Sequence, residues 1–321
     1  MTAYAIGREP LRVLPPDATR VTCILNAAAG SGEMPATREQ LGRLFAVFGT
    51  ALRIVIVHSA DEITFHARQA IGSGRLVVAG GGDGTVSAVA SVLAGTGAVL
   101  GVLPLGTCNH FAKDLGIPLD LAGAVSTILN GRVRTVDMGE VNGQLFLNNS
   151  SLGVYPQLVR GRIAEQHRGH RKWIALAMAA AAALRHPSPV LVHLQSGSPP
   201  PDRLLSDGAQ ALARRTPLLF VGNNRYSLAG PQAGRRARLD AGQLWVCTTH
   251  EAGNCRLLGL AVRALAGHLR THDLEMQDTA EFWVETQRRR IEVAWDGEVT
   301  TMASPLHYRI RPAALRVMAP S

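Results

Sequence analysis

Residues 79–85 read AGGGDGT, and this stretch decides the fold. It follows the apolar run 76–79 and leads into Val86, Val89 and Leu93 at helical spacing. The expected unit is therefore a buried strand, a glycine loop and a helix. Consecutive glycines let backbone amides approach an anion closely, and the opening of a helix adds a partial positive charge. Within the loop Gly81, Gly82 and Gly84 supply bare backbone, Asp83 one carboxylate, and Thr85 a hydroxyl. A carboxylate among phosphate-binding amides suits Mg²⁺ shared with phosphate oxygens. The bland alternative is an Asp-Gly turn with Thr85 as helix cap. Gly-Gly-Asp-Gly-Thr directly after a strand favours the phosphate loop.

The same alternation extends on both sides. Strands are predicted at residues 21–25, 52–57, 76–79 and 99–103, each apolar and most rich in β-branched residues. Helical spacing follows the first at Leu41, Leu44, Phe45 and Phe48. Ser59 and Glu62 have the spacing of a capping box opening a helix to about Ile71. Strands alternating with helices predict a parallel sheet with helices on both faces. In such a sheet the loops at the carboxyl ends of strands bind ligands. Two more loops stand there. NAAAGSG at 26–32 offers Asn26, Gly30 and Ser31, although alone it is an ordinary strand-to-helix turn. LPLGTCNHFAKDLGIP at 103–118 offers Thr107 and Asn109 where a helix with Phe111 and Leu115 at core spacing begins. A nucleoside triphosphate is the ligand that three such loops suit.

Beyond about residue 130 the pattern changes to short strands, predicted at 133–138, 145–149, 190–195, 218–223, 243–248, 282–286, 291–295 and 308–310. Helices are expected only at 171–184 and 256–269, and residues 197–207 form a Ser/Pro-rich loop. Many short strands with turns between them predict an antiparallel sandwich. With 321 residues the chain exceeds the roughly 250–300 at which one core stops growing, so two domains are expected. They are an α/β nucleotide domain over residues 1–130 and a β-sandwich domain over 131–311.

The net charge is +9, with arginine far outnumbering lysine. Such a surface suits an anionic bilayer or a polyphosphate. Nucleic acid is not expected, because basic segments such as 160–172 carry no interleaved aromatics for base stacking. Cys23, Cys108, Cys247 and Cys255 show no C-x-x-C spacing, so neither a zinc site nor a disulfide framework is expected and a reducing cytoplasm is the simplest home. The first twenty residues do not read as a secretory leader. The longest apolar run, 173–184, is shorter than the ~20 residues a spanning helix needs. Arg160, Arg162, Arg168, Arg171 and Lys172 form a basic cluster suited to peripheral, salt-sensitive contact with an anionic membrane. A homodimer stays open.

GGDGT, then PLGT-x-N-x-FA about twenty residues on, together resemble the catalytic domain of diacylglycerol kinases, bacterial lipid kinases and sphingosine kinases. The leading N-x-x-x-G resembles that family's first nucleotide motif, and WDGE at 295–298 its Asp-Gly-Glu motif. The motifs stand in family order across nearly the whole chain. The resemblance implies an ATP-dependent lipid kinase using Mg²⁺, with ATP between an α/β domain and a β-sandwich. It implies that the C-terminal tail, 312–321, returns to the first domain. It implies nucleotide contacts at Asn26, Gly30, Ser31, Ser59, Gly81, Gly82, Asp83, Gly84, Thr85, Thr107 and Asn109, with Asp83 linked to the catalytic Mg²⁺. It implies Glu298 as general base with Asp296 its essential neighbour. Taken alone, Asp296-Gly297-Glu298 is equally a hairpin turn.

Two positions depart from the family pattern. His110 stands where the family has aspartate, and Ala241 replaces the aspartate of an Asp-Gly-x-Leu element that helps hold a structural Mg²⁺, leaving Asp240 one residue early. A nucleotide- or lipid-binding pseudokinase is therefore one alternative. A kinase for a soluble hydroxyl acceptor is the other, since NAD kinases and phosphofructokinases share the Gly-Gly-Asp-Gly-Thr loop.

Overall fold

The structure, a computed structural model, describes residues 20–29, 34–47, 50–73, 76–154, 156, 190–196, 214–228, 230–249, 274–286 and 288–321. The helices expected at 171–184 and 256–269, the loop 197–207, the basic cluster from Arg160 to Lys172, and Gly30, Ser31 and Cys255 lie outside these residues. The chain divides into two compact units. One takes in the residues up to Val136 together with Leu315–Ser321, and the other is Asp137–Ala314.

The first unit is a parallel sheet of β1 (Arg20–Asn26), β2 (Ala51–Val57), β3 (Leu76–Gly81) and β4 (Val99–Pro104), in the order β2-β1-β3-β4. Every residue of β3 and β4 is buried, as a parallel strand covered on both faces requires. The helices are α1 (Met34–Val47), α2 (Ala60–Ser73), α3 (Asp83–Leu93), α4 (His110–Leu115) and α5 (Leu121–Asn130). α1 packs with α5, and α2 with α3. Right-handed crossovers running in opposite directions along the sheet put these pairs on opposite faces. The chain leaves β1 toward β2 but returns to β3 on the other side, so the strand order reverses between β1 and β3. That is where a doubly wound sheet opens a crevice at its carboxyl edge. At the end of the chain Arg316 and Val317 run parallel to Val99 and Leu100 of β4.

The second unit is antiparallel. One layer has the order β12 (Glu275–Thr279), β11 (Leu244–Thr248), β10 (Leu218–Asn223), β7 (Asn149–Gly153), β14 (Arg290–Trp295) and β15 (Glu298–Ala303). The other contains β5 (Arg132–Val141), β6 (Gln144–Phe146), β8 (Val190–Ser196), β9 (Arg214–Thr216), β13 (Glu281–Thr286) and β16 (Leu306–Ala319). Alternate residues of both layers meet in one core, including Leu152, Val221, Val246 and Val293 from the first and Phe146, Val284 and Tyr308 from the second. Tyr308 is fully buried and its hydroxyl shares a 3.0 Å hydrogen bond with Ser150. The fold class expected from the sequence is the one observed.

Strand boundaries differ in an informative way. β9 (RRT), β12 (EMQDT) and β15 (EVTTMA) are absent from the sequence expectation and all three are edges, whereas the expected strand 145–149 divides into β6 and the central β7 (NSSLG) at the bend 147–149. An edge strand needs little apolar alternation, because its neighbour supplies the ladder. β16 runs far beyond the expected 308–310. Pro312 and Ala313 interrupt its apolar alternation, and Ala313 adopts a positive φ of 52°.

Asp137 holds this place. Its carboxylate accepts hydrogen bonds from the amides of Gly242 (2.7 Å) and Ala313 (2.9 Å) and from the Asn224 side chain (3.3 Å). It is 3% exposed. Replacing it by alanine strands two amides and an amide side chain away from water. Asp137→Ala should therefore destabilise the second unit by roughly 2–4 kcal/mol, read as a lowered urea midpoint.

Candidate functional site

The glycine loop after β3 is built by steric exclusion. A Cβ on Gly81 would stand 2.5 Å from the Thr85 hydroxyl oxygen, so only glycine leaves room for that side chain. Thr85 is buried, and its Oγ1 accepts a 2.9 Å hydrogen bond from the side-chain amide of Asn26 at the end of β1. Asn26 also turns its own loop, its Oδ1 accepting from the Ala28 amide at 2.9 Å. Asn26 thus joins the first and second loops at the reversal of strand order.

The third loop meets the second backbone to backbone. A Cβ on Gly106 would run into the Cα of Gly82, and the Leu105 amide donates to the Gly81 carbonyl at 3.0 Å. Asn109 fixes the loop from inside. It is buried, takes a left-handed φ of 51°, accepts from the Gly106 amide at 3.0 Å, and donates to the carbonyls of Pro104 (3.1 Å) and Gly106 (2.8 Å). Its side chain is committed to loop shape. Thr107, Cys108 and His110 are exposed on the same loop.

α3 opens with extended Gly82 as N-cap and no side-chain cap. The amides of its first turn have no acceptor within the helix and carry the positive end of its dipole. Asp83 sits in that turn, half-buried, and its Oδ1 accepts from the Phe111 amide at 3.4 Å. A single carboxylate beside bare amides fits a cation held jointly with phosphate oxygens rather than by protein alone.

Ser59 follows β2, next to the first loop. Its hydroxyl accepts from the Glu62 amide at 3.2 Å, and the Glu62 carboxylate accepts from the His58 amide at 2.8 Å. The Ser59 half of the expected capping box is present, whereas Glu62 reaches the His58 amide instead of that of Ser59, so the Ser59 hydroxyl already serves the start of α2. Burial pushes the thiol of Cys23 on β1 up to about 12. That residue is an inert core group, unlike Cys108, which is exposed.

In the second unit Asp296 and Gly297 form a two-residue turn between β14 and β15, with φ of 46° and 89°. Two successive positive φ values mark the turn type that matches strand twist. The Asp296 carboxylate accepts from three consecutive amides, those of Leu147 (2.6 Å), Asn148 (2.8 Å) and Asn149 (3.2 Å). Its negative charge is spent on holding that bend. Glu298, the first residue of β15, is exposed.

Asp240 does not meet the requirements of a structural metal site. Its carboxylate faces Arg238 at 3.2 Å. The neighbouring amides of Ala241 and Gly242 donate to Asn224 (2.9 Å) and Asp137 (2.7 Å). Among the described residues no three His, Cys, Asp or Glu side chains gather as metal ligands. Sequence patterns gave no signal for Asn148, Asn223 and Arg236, which are buried around the bend at 147–149.

Residues 20–141 match the diacylglycerol kinase catalytic domain. A protein of Pseudomonas aeruginosa described as "Probable lipid kinase YegS-like" is 32% identical over 298 residues, covering 92% of this chain and 89% of its own length. One of the same description from Pseudomonas fluorescens is 30% identical over 278 residues, covering 85% and 87%. A crystal structure of a diacylglycerol kinase from Bacillus anthracis superposes with a TM-score of 0.65 at 19% identity, covering 94% of this chain and 97% of that one. The chain therefore belongs to the diacylglycerol kinase catalytic domain family of phosphotransferases, alongside the YegS-like lipid kinases.

Proposed function

We propose that the protein transfers the γ-phosphoryl group of ATP to a hydroxyl of a diacylglycerol-like or other lipid. The observation that carries this is the cradle at the reversal of strand order. Asn26 is bonded to Thr85 there, the Gly82 and Gly106 backbones are in contact, and Asp83 is the acidic residue in the uncapped first turn of α3. The amides of that turn bind phosphate oxygens. Mg²⁺ bound with ATP would supply charge neutralisation for the phosphates, and Asp83 would be the residue to hold it. Glu298 takes the proton of the lipid hydroxyl as its oxygen bonds to the γ-phosphorus. The bond from that phosphorus to the bridging oxygen breaks and ADP leaves.

The acceptor lies in a bilayer, and no described helix is long and apolar enough to cross a membrane. Contact with the bilayer is proposed to be peripheral, favoured by the net charge of +9 on an anionic surface. The test is incubation of the full chain with γ-labelled ATP, Mg²⁺ and a total bacterial lipid extract. Label in a lipid is expected. Label only in a water-soluble product would mean a soluble acceptor, and no transfer at all would mean a pseudokinase.

Three substitutions separate the roles. Asp83→Asn should abolish transfer while circular dichroism stays unchanged, because a lost metal-linked charge costs several kcal/mol of transition-state stabilisation. Near wild-type turnover would remove Asp83 from the assignment. Glu298→Gln should lower kcat by about 10²–10⁴-fold with little change in KM for ATP. The opposite split would make Glu298 a nucleotide ligand. His110 is exposed on the third loop at the start of α4, and imidazole hydrogen-bonds phosphate or metal-bound water without supplying a carboxylate charge. His110→Asp should therefore shift the Mg²⁺ optimum or pH profile of an enzyme that was already active. Coincident profiles would mean that His110 only faces solvent.

A further inference from the structure

Arg236 is 3% exposed, a charged side chain buried in the second unit. Its Nη1 donates to the carbonyls of Leu147 (2.7 Å) and Asn223 (3.1 Å), and its Nη2 donates to Oδ1 of Asn148 (2.8 Å). The guanidinium also lies 5.4 Å from the centre of the Tyr226 ring. The Tyr226 hydroxyl in turn donates to the Asn148 carbonyl at 3.0 Å. Asn223 adds a donation from its side chain to the Leu147 carbonyl at 2.9 Å.

Every backbone group of this bend is therefore engaged, and the two sides differ in sign. The amides of Leu147, Asn148 and Asn149 point to the carboxylate of Asp296. The carbonyl of Leu147 points to the guanidinium of Arg236. The single peptide joining Leu147 to Asn148 thus has an anion on its N–H and a cation on its C=O. A peptide dipole aligned between opposite charges is polarised, and each hydrogen bond strengthens the other. The Asn149 carbonyl closes the arrangement by accepting from the Asp296 amide at 2.9 Å. Asp296 is the first residue of the turn that delivers Glu298, which pairs across the hairpin with Trp295.

We infer that Arg236 is a positioning residue for the reaction: through the Leu147–Asn148 peptide it holds Asp296, and through Asp296 it aims Glu298. The inference rests on Glu298 being the base of the proposed reaction. Arg236 itself touches no reacting atom. Its fork of donors is what the arrangement requires, since one guanidinium reaches a carbonyl and a side-chain oxygen together where an ammonium offers a point charge.

The experiment uses the full chain with γ-labelled ATP, Mg²⁺ and total bacterial lipid extract as acceptor, together with hydrogen exchange of the amides at 147–149. Arg236→Gln should lower kcat by up to about 100-fold, the scale of a misplaced catalytic group, with KM for ATP within about twofold of wild type. The double variant R236Q/E298Q should be no slower than E298Q alone, because residues acting on one step are not additive. Exchange at 147–149 should accelerate in R236Q. Arg236→Lys keeps the charge and loses the fork, and it should give the same pattern more weakly. It carries the same comparisons if R236Q does not fold. Losses that multiply in the double variant, wild-type kcat in both Arg236 variants, or unchanged exchange at 147–149 would each overturn the inference. E298Q with wild-type kcat would instead remove the base assignment, and the exchange result would then decide alone whether Arg236 holds the turn.

Discussion

Two backbones meeting at Gly82 and Gly106 set the shape of the carboxyl edge of the first unit's sheet. Gly106 tolerates no side chain here, since a Cβ on it would stand 2.4 Å from the Cα of Gly82. The contact brings the loop after β4 against the loop after β3, and the bond from Asn26 to Thr85 brings in the loop after β1. Three loops distant in sequence meet at one edge of the sheet. The parallel sheet makes this possible by ending β1, β3 and β4 at the same edge. The glycines allow the loops to close upon it.

Side chains within this edge divide their labour. Thr85 and Asn109 are buried, Thr85 bonded to Asn26 of the first loop and Asn109 to the backbone of its own loop, so they define the form of this edge. Asp83 and the amides of the first turn of α3 carry its charge and polarity. The uncapped helix start is consistent with this division, for a side-chain cap on Gly82 would occupy the amides an anion uses. His110 is exposed beside this loop and lies outside the Asn109 network.

The second unit solves a comparable problem with charge. An exposed carboxylate at the start of a strand is free to swing unless its turn is held. Asp296 accepts the positive φ that the turn demands, and its carboxylate grips three amides of the facing bend. Arg236 grips the same bend from the other side. Arg236 is buried and Asp296 half-buried, each among hydrogen-bond partners that offset its desolvation. In the same unit Asp137 ties the loop 239–243 to the bend of β16 through backbone amides. That loop is held by protein groups throughout, which agrees with the loss of a carboxylate at Ala241.

Local patterns in the sequence determined the class of both units. Alternation of apolar strand and amphipathic helix marks a parallel sheet, and short strands between turns mark an antiparallel sandwich. Each is a periodicity legible within about ten residues. The glycine loops were legible for the same reason, since their residues are contiguous. The edge strands β12 and β15 were not, because their strand state comes from a neighbour's ladder rather than from their own alternation. Nor were the partners of Asp296 and Arg236, which lie 149 and 89 residues away at Leu147. An arginine in the string GRRARLD looks like solvated charge. Only the antiparallel packing that encloses it decides that it is buried, and a buried charge must find its acceptors wherever the fold brings them.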